Sequence, residues 1–200
     1  MIYIKSFIED NLSIIMDSET ALADRIARER AQRGWSLADV AERSGVSRSM
    51  LSKIERQEAS PTATVLLRIA SAFGVTLAEL LTAPAAAGSR LERAADQPTW
   101  TDPTSGYRRR QVYLSASLPL ELVEVDLPAG ALVAAPASSY ALIRQVLWVL
   151  EGAVTIVEGE RRTALQSGDR LEFGPPSDVV FQNESDAPCR YLVAVMRQRS

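Results

Sequence analysis

The chain has 200 residues, of which 46% are hydrophobic and 24% charged, as is typical of a globular protein with one large or two small domains. Its net charge of −3 excludes a uniformly basic chain, so any nucleic-acid contact must come from a local basic patch. Histidine is absent, which excludes Ser-His-Asp and Cys-His catalytic arrangements and removes the commonest metal ligand. A single cysteine, Cys189, excludes an intrachain disulfide and fits a reducing compartment, where we expect it to be a small buried side chain.

The first fifteen residues are apolar enough to raise the question of a signal peptide. Glu9 and Asp10 interrupt the apolar stretch and no basic segment precedes it, which argues against export. A natural-looking start at Met16 makes residues 1–18 an N-terminal arm or upstream extension. No apolar run in the chain reaches the roughly 18–20 residues that span a bilayer, so we expect no membrane contact and a cytoplasmic location.

Residues 20–81 carry a helical pattern. Apolar side chains recur three or four residues apart, beginning with Leu22 and Ile26 and ending with Ile69 and Phe73. Glycine or proline stands where each helix should end. The pattern predicts five short helices at about 20–33, 37–43, 48–56, 62–72 and 77–81.

The pattern changes after residue 82. A linker and lead-in of mostly small residues covers 83–107, and from 108 the apolar residues alternate as in strands. Val123, Val125 and Leu127 fall on one face of such a strand, while the run 146–150 (VLWVL) predicts a strand covered on both faces. Turn residues recur about every 8–12 positions, which predicts a β-sandwich or barrel over 108–200. The chain is therefore expected to be multidomain, with an α domain (19–82) followed by a β domain.

Residues 36–55 combine the features of a helix-turn-helix. Ser36 can cap the first helix, and Gly45 can take the positive φ of a sharp turn. Val46 is placed to pack between the two helices, and Ser47 can cap the second. The joint occurrence of caps, turn glycine and apolar spacing predicts this motif.

The second helix of the motif presents a basic face. Arg48, Lys53 and Arg56 against Glu55 give this stretch a local charge of +2 in an acidic chain. Arginine and lysine at the start of an exposed helix can reach guanine in a major groove, while serines can contact bases or phosphates. The alternative is an ordinary solvated charged helix. The combination of caps and basic face favours binding of double-stranded DNA.

Residues 22–81 resemble the XRE (Cro/C1-type repressor) DNA-binding domain over its whole length of about sixty residues. The resemblance implies a five-helix lambda-repressor-like domain. It also implies two sets of DNA-binding residues. One faces the groove (Ser47, Arg48, Ser49, Ser52 and Lys53, to which the basic face adds Arg56), and the other contacts the backbone (Ser36, Ser60 and Thr62). Two positions depart from the family: Glu29 replaces the usual leucine, and Gln57 replaces the usual glycine.

Residues 108–200 resemble the cupin barrel, an antiparallel jelly roll, less closely. The resemblance aligns Gln145 with the glutamate ligand of metal-binding cupins, residues 138–141 with the two histidines of the first motif, and Val179 with the histidine of the second. Serine, glutamine and valine cannot form a transition-metal site. The resemblance therefore implies a sensor domain with no metal, no cofactor and no catalytic residues.

Strand parity predicts which residues face the interior of this barrel. Gln145 shares its face with Leu147 and Val149, and Val179 shares its face with Phe181. We expect a small, possibly anionic ligand to be bound by the side chains around the former metal position (Tyr140, Arg144, Gln145, Val179 and Phe181). The alternative is that these residues simply fill the barrel. Trp148, on the opposite face, is expected to pack between sheets or subunits.

The sequence is compatible with three functions. The first is a sequence-specific transcriptional regulator that binds a pseudo-palindromic operator as a homodimer, because one recognition helix reads few base pairs. The second is a cupin-type enzyme, which the absence of histidine disfavours. The third is a protein-interaction module or antitoxin whose helical domain no longer binds DNA, which the basic face disfavours.

Overall fold

The computed structural model describes residues 20–81, 91–115 and 118–197. The predicted N-terminal arm (1–18) and residues 82–90 of the predicted linker lie outside these ranges. Within them, no helix is long and apolar enough to cross a membrane.

Five helices form the first described range, residues 20–81, as the apolar spacing predicted. Helix α1 covers 20–32 and is followed by four more (α2, Leu37–Ser44; α3, Arg48–Glu55; α4, Ala63–Phe73; α5, Leu77–Leu81). We call residues 20–81 the head. Serine and threonine side chains cap three of these helices, because a β-region residue can satisfy the free amides of a first turn. The caps are Ser36, Ser47 and Thr62.

The head encloses an apolar core to which every helix contributes. Its fully buried members include Ile26, Leu51, Leu66 and Ile69, each no more than 1% exposed. Val46, at the turn between α2 and α3, is also buried, as predicted for a residue that packs between the two helices. This core fixes α3 with one apolar face inward and leaves the opposite face in solvent.

In the described residues from 91 onward, ten antiparallel strands form the β domain. They are short segments separated by turns (β1, Thr99–Thr101; β2, Arg108–Leu114; β3, Leu120–Leu127; β4, Leu132–Ala135; β5, Ile143–Glu151; β6, Ala153–Glu158; β7, Arg161–Gln166; β8, Arg170–Glu172; β9, Val179–Gln182; β10, Cys189–Arg197). A 3₁₀ turn, Ala137–Tyr140, precedes β5. Strand β1 lies within the range predicted as lead-in to this domain.

The strands form two sheets that pack face to face. The six-stranded sheet has the order β1-β2-β3-β10-β5-β8, and the four-stranded sheet has the order β4-β9-β6-β7. Consecutive strands repeatedly change sheet, as in a jelly roll. The two sheets are separate, so the domain is an open double-layered form of the predicted barrel. Their inner faces share one core that includes Leu127, Leu147, Val149 and Ile156, all fully buried.

The inward-facing positions that strand alternation predicted are correct in both sheets. Gln145, Leu147 and Val149 all face the interior of the six-stranded sheet, and Val179 is buried in the other. The prediction that residues 146–150 are covered on both faces is wrong, because the Trp148 side chain on the outer face is 49% exposed. It therefore does not pack between the two sheets. The outer face of the apolar run 146–150 is therefore a surface of aliphatic and aromatic side chains, not a second buried layer.

The head packs directly on the β domain through a polar seam. The Asp102 carboxylate, after β1, accepts a hydrogen bond from the backbone N–H of Ala63 at the first turn of α4. The Thr76 hydroxyl, preceding α5, donates to Glu121 on β3 at 2.9 Å, and Arg197 on β10 pairs with Glu79 on α5. Helices α4 and α5 therefore form part of the wall of the β domain.

Candidate nucleic-acid interface and interdomain cavity

Helix α3 is held in place by its cap and by its packing. The Ser47 hydroxyl accepts a hydrogen bond from the Met50 N–H at 3.2 Å, so the helix begins at a fixed residue. Leu51 and Ile54 anchor it in the core of the head. Arg30 on α1 adds a bidentate ion pair with Glu55, at 2.7 and 2.8 Å. A helix fixed by three separate contacts can present its outer side chains in a defined register.

The outer face of α3 has two cations without an acidic partner. Arg48 and Lys53 are exposed, and among the described residues no carboxylate lies within 4 Å of either. Ser49 is also exposed, with its hydroxyl 3.2 Å from that of Ser47. Several other arginines of the head are neutralised by acids (Arg25, Arg30, Arg33 and Arg56). On α3, the positive charge is therefore concentrated at Arg48 and Lys53, and Arg43 on α2 is a further exposed cation of the motif, which lies over the Trp35 ring.

The C-terminal end of α3 is already engaged within the chain. Arg56 forms a bidentate pair with Glu58 at 2.7 and 2.8 Å, and its third contact is to the Ser52 hydroxyl at 2.6 Å. This pair is exposed, so water screens it and an anion can compete for it. Ser52 and Arg56 thus lie on the predicted face, but they are hydrogen-bonded to each other, and Arg56 is also paired with Glu58.

The predicted backbone-contacting residues lie at helix starts. Ser36 forms a capping box with Asp39, in which its hydroxyl both accepts from the Asp39 N–H and donates to the carboxylate. Thr62 caps α4, and Ser60 is exposed just before it. These hydroxyls are at the amino ends of helices, where the backbone dipole favours a phosphate.

The two departures from the family are accommodated locally. Glu29 is 6% exposed and lies between Arg25 at 2.7 Å and Arg33 at 2.5 Å, so the buried charge is paired. Gln57 has φ of 60°, within the left-handed region that glycine occupies without strain. Its N–H and that of Glu58 close the end of α3 on the carbonyls of Ile54 and Lys53, which is a Schellman arrangement.

A cavity of about 110 Å³ lies between the head and the β domain. One wall consists of residues from α4, α5 and the turn that joins them, including Leu67, Ala70 and Thr76. The opposite wall comes from the inner faces of both sheets. Valines of β3 and β10 and Tyr191 line it from the six-stranded sheet, and Phe181 of β9 lines it from the four-stranded sheet. The cavity is therefore shared by both parts of the chain.

Several polar side chains enter this largely apolar space, among them Arg109, Glu121, Tyr140 and Gln145. Arg109 and Gln145 are 7% and 8% exposed, and Glu121 is 1% exposed. Burial raises the pKa of the Glu121 carboxyl, although a hydrogen bond from Thr76 opposes the shift. Burial also raises the pKa of the Tyr140 hydroxyl, which keeps that group protonated.

The predicted ligand-binding residues divide into two groups. Tyr140, Gln145 and Phe181 line the cavity. Arg144 is exposed and, like the buried Val179, borders a much smaller pocket of about 10 Å³. Sequence reasoning did not select Arg109 or Glu121. Glu121 shares its parity with Val123 and Val125, so its inward position was detectable, whereas Arg109 lies in an Arg-Arg-Arg run that is typical of a surface.

The residues at the former metal-ligand positions do not suit a metal. Gln145 offers one amide and Val179 offers no donor atom, and residues 138–141 belong to a 3₁₀ turn without an acid, thiol or imidazole. In the described ranges, no three acids or thiols are grouped closely enough to hold a cation. The burial of Cys189 raises its thiol pKa to about 11, which agrees with the predicted role of a buried apolar side chain.

Comparisons with known proteins match both the motif and the whole fold. A helix-turn-helix family model matches residues 26–80. The HTH-type transcriptional regulator SutR of Escherichia coli is 26% identical over 90% of this chain and 96% of its own length. An HTH-type transcriptional regulator of Sinorhizobium fredii, y4dJ, is 37% identical over 34% of this chain and 87% of its own length.

One solved structure shares the combination of a helical head and a β domain. It is an HTH_3 family transcriptional regulator from Vibrio cholerae, with a TM-score of 0.74 and 22% identity over 91% of this chain and 98% of that one. The fold described above is thus common to both proteins. Together with the motif and its exposed basic helix, these matches show that the chain belongs to the XRE-type helix-turn-helix family of DNA-binding transcriptional regulators.

Proposed function

We propose that the chain reads a specific double-stranded DNA sequence as a homodimer, with α3 in the major groove. The observation that carries this proposal is the pair of exposed cations, Arg48 and Lys53, that have no acidic partner within 4 Å in the described part of the chain. Arg161 on β7 is likewise exposed, so the support comes from where Arg48 and Lys53 lie, on the outer face of the second helix of the motif. A basic side chain at that position can reach guanine O6 and N7 in a major groove.

Roles follow for the remaining predicted contacts. Ser47 and Ser49, at the start of α3, are placed to hydrogen-bond base edges or phosphates. We assign Ser36, Ser60 and Thr62 to the phosphate backbone because they lie at or beside helix starts. Ser52 and Arg56 can join the interface once DNA phosphate competes with Glu58 for the Arg56 guanidinium, a competition between exposed groups that costs little.

The dimer partner is expected to be a second copy that packs on the outer face of the six-stranded sheet. Trp148 and Met196 are 49% and 55% exposed there, and Leu192 pairs directly with Trp148 across the strands. A large exposed aromatic residue within an aliphatic surface is typical of an interface. A two-fold arrangement would also supply the second recognition helix that an operator requires.

The β domain is proposed to sense a small molecule without a metal and without catalysis. The cavity next to the head offers the space, and the metal-ligand positions hold residues that do not suit a metal. We accordingly assign residues 19–82 to DNA binding, 83–107 to the linker and lead-in, and 108–200 to sensing and dimerisation. Because the proposed partner is DNA, we expect the protein to be in the cytoplasm.

The proposal is tested by removing Arg48 alone. Arg48→Ala should weaken binding to a selected genomic target by about 1–3 kcal/mol, or roughly 5- to 150-fold, as measured by fluorescence anisotropy. Its affinity for random duplex should change far less, because phosphate contacts supply non-specific binding. Arg161→Ala is the matched control: it removes the same charge from an exposed position on β7. Equal losses on target and random DNA would contradict base reading by Arg48.

A further inference from the structure

The cavity between the head and the β domain holds a guanidinium that has no charged partner within contact distance. Arg109 is 7% exposed, and its guanidinium donates a long hydrogen bond of 3.4 Å to the side-chain oxygen of Gln111. Among the described residues, no carboxylate lies within 4 Å of it, although Glu121 is near enough to interact electrostatically. A buried arginine is costly unless an anion compensates its charge.

A donor without a hydrogen-bond acceptor lines the same cavity. The Gln145 side chain is 8% exposed and lies close to the Tyr140 hydroxyl, yet its Nε2 has no hydrogen-bond acceptor in the described structure. A buried amide donor without a partner costs about 1–3 kcal/mol. Arg109 lies on β2 and Gln145 lies on β5. The two donors can therefore bind the same acceptor only if a ligand lies between them in the cavity.

The rest of the lining is mostly apolar, with the hydroxyls of Ser71, Thr76 and Ser139 and the carboxyl of Glu121 among its further polar groups. Val123, Val125, Val193 and Phe181 provide most of the surface opposite α4 and α5. At about 110 Å³ the cavity is smaller than the cavity of about 150 Å³ that holds the six carbon atoms of benzene, so it admits about four or five non-hydrogen atoms. Two donors beside a short hydrocarbon surface specify a small molecule with one anionic end and an apolar body.

We propose that this cavity binds a small aliphatic carboxylate, whose carboxylate group is held by Arg109 and Gln145. The inference rests on the sensing role proposed above and names the chemistry of the ligand. The guanidinium supplies a charge-assisted hydrogen bond and the amide supplies a second, while the valines and Phe181 contact the hydrocarbon chain. The site is distinct from the predicted position of Arg144, which is exposed and does not line this cavity.

The position of the site also gives it a route to the head. Leu67 and Ala70 of α4 and Ala78 of α5 form one wall, so a bound ligand contacts the head and the β domain together. Beside it runs the seam in which Thr76 is bonded to Glu121. A ligand that contacts both parts stabilises this orientation of the head relative to other orientations. The fraction of molecules with the head in this orientation therefore rises when the ligand binds. Operator affinity should consequently change when the cavity is filled.

The test uses the full-length protein and acetate, propanoate, butanoate and pentanoate as probes, with the matching neutral amides as controls. Calorimetric titration and thermal shift at constant ionic strength should show saturable binding of at least one carboxylate, and at least about tenfold weaker binding of its amide. Arg109→Met and Gln145→Leu, which keep the side-chain volume, should each reduce the carboxylate affinity about tenfold or more. Failure of all four carboxylates to bind, or equal binding of acids and amides, would overturn the proposal.

A second measurement separates this site from DNA reading. Arg48→Ala should bind the carboxylate like the wild type while losing operator affinity, and Arg109→Met should bind the operator with an affinity that no longer responds to the carboxylate. An unchanged operator affinity of the wild type at saturating carboxylate would overturn the regulatory part of the proposal. Loss of the carboxylate response in Arg48→Ala titrations themselves would show that the two sites are not separate.

Discussion

Gln57 closes the recognition helix in a backbone conformation that costs free energy. Its φ of 60° places the Cβ atom in the crowded left-handed region, and it is the one non-glycine residue with positive φ in the described ranges. The Schellman bonds on each side of it hold the residue there. The sequence indicated this strain, because glycine usually follows the recognition helix in the resembled family.

Gln57→Gly should therefore stabilise the head. We expect the free energy of unfolding to rise by about 0.5–1 kcal/mol, since glycine adopts positive φ without steric cost. Urea unfolding followed by helical circular dichroism measures this, because the described α-helices all lie in residues 20–81. Gln32→Gly, at an exposed helical position of α1, is the control and should lower stability. Similar losses in both variants would contradict a strained Gln57.

Glu121 is a buried acid at the seam between the head and the β domain. Burial raises its pKa above the ordinary value of 4.5, despite the hydrogen bond from Thr76 and the nearby Arg109 and Arg197. A carboxyl with a raised folded-state pKa favours the folded state below its unfolded pKa. That contribution is lost as the pH rises through the folded value, because the charged form is the one that burial penalises.

Glu121→Gln should remove this pH dependence. The amide oxygen can still accept the Thr76 hydroxyl but carries no charge, so the variant should gain stability relative to the wild type as the pH rises from about 5 to about 8. Urea unfolding at a series of pH values measures the difference, with Glu160→Gln at an exposed turn as the control. A difference that stays constant across this range would show that Glu121 is not penalised by its burial.

At the scale of elements, periodicity predicted most of what was found. The five helices begin and end within a residue or so of the predicted limits, because their caps and apolar spacing are local signals. Strand parity correctly placed Gln145 and Leu147 inward for the same reason. Trp148 shows the limit of such reasoning: an unbroken apolar run indicates apolar neighbours on both faces, and whether the outer face meets solvent or another subunit depends on tertiary and quaternary packing.

The cavity was only partly predictable for a related reason. Phe181 was found from strand parity, and Tyr140 and Gln145 were found from their alignment with the former metal position of the resembled cupin motif. Its other wall comes from α4 and α5, some fifty residues earlier in the chain, and no local pattern reports that contact. Arg109 was missed because burial of one arginine in a run of three depends on the position of β2 between β1 and β3.

The whole molecule joins a helix-turn-helix head to a β domain through a seam with a cavity in it. The head alone supplies one recognition helix, which contacts few base pairs, so specific reading is expected to need a second copy. The exposed face around Trp148 lies on the six-stranded sheet, whose inner face lines the cavity. The same sheet would therefore connect the dimer, the ligand and the head.

Selection of bound sequences from a random double-stranded DNA pool by the full-length protein tests the central claim most directly. A two-fold pair of α3 helices predicts enrichment of a pseudo-palindrome whose half-sites are centred about 34–36 Å apart, one turn of the double helix. Enrichment of a lone asymmetric half-site would contradict the dimer. A bound pool with no enriched sequence would contradict base reading by Arg48 and its neighbours on α3.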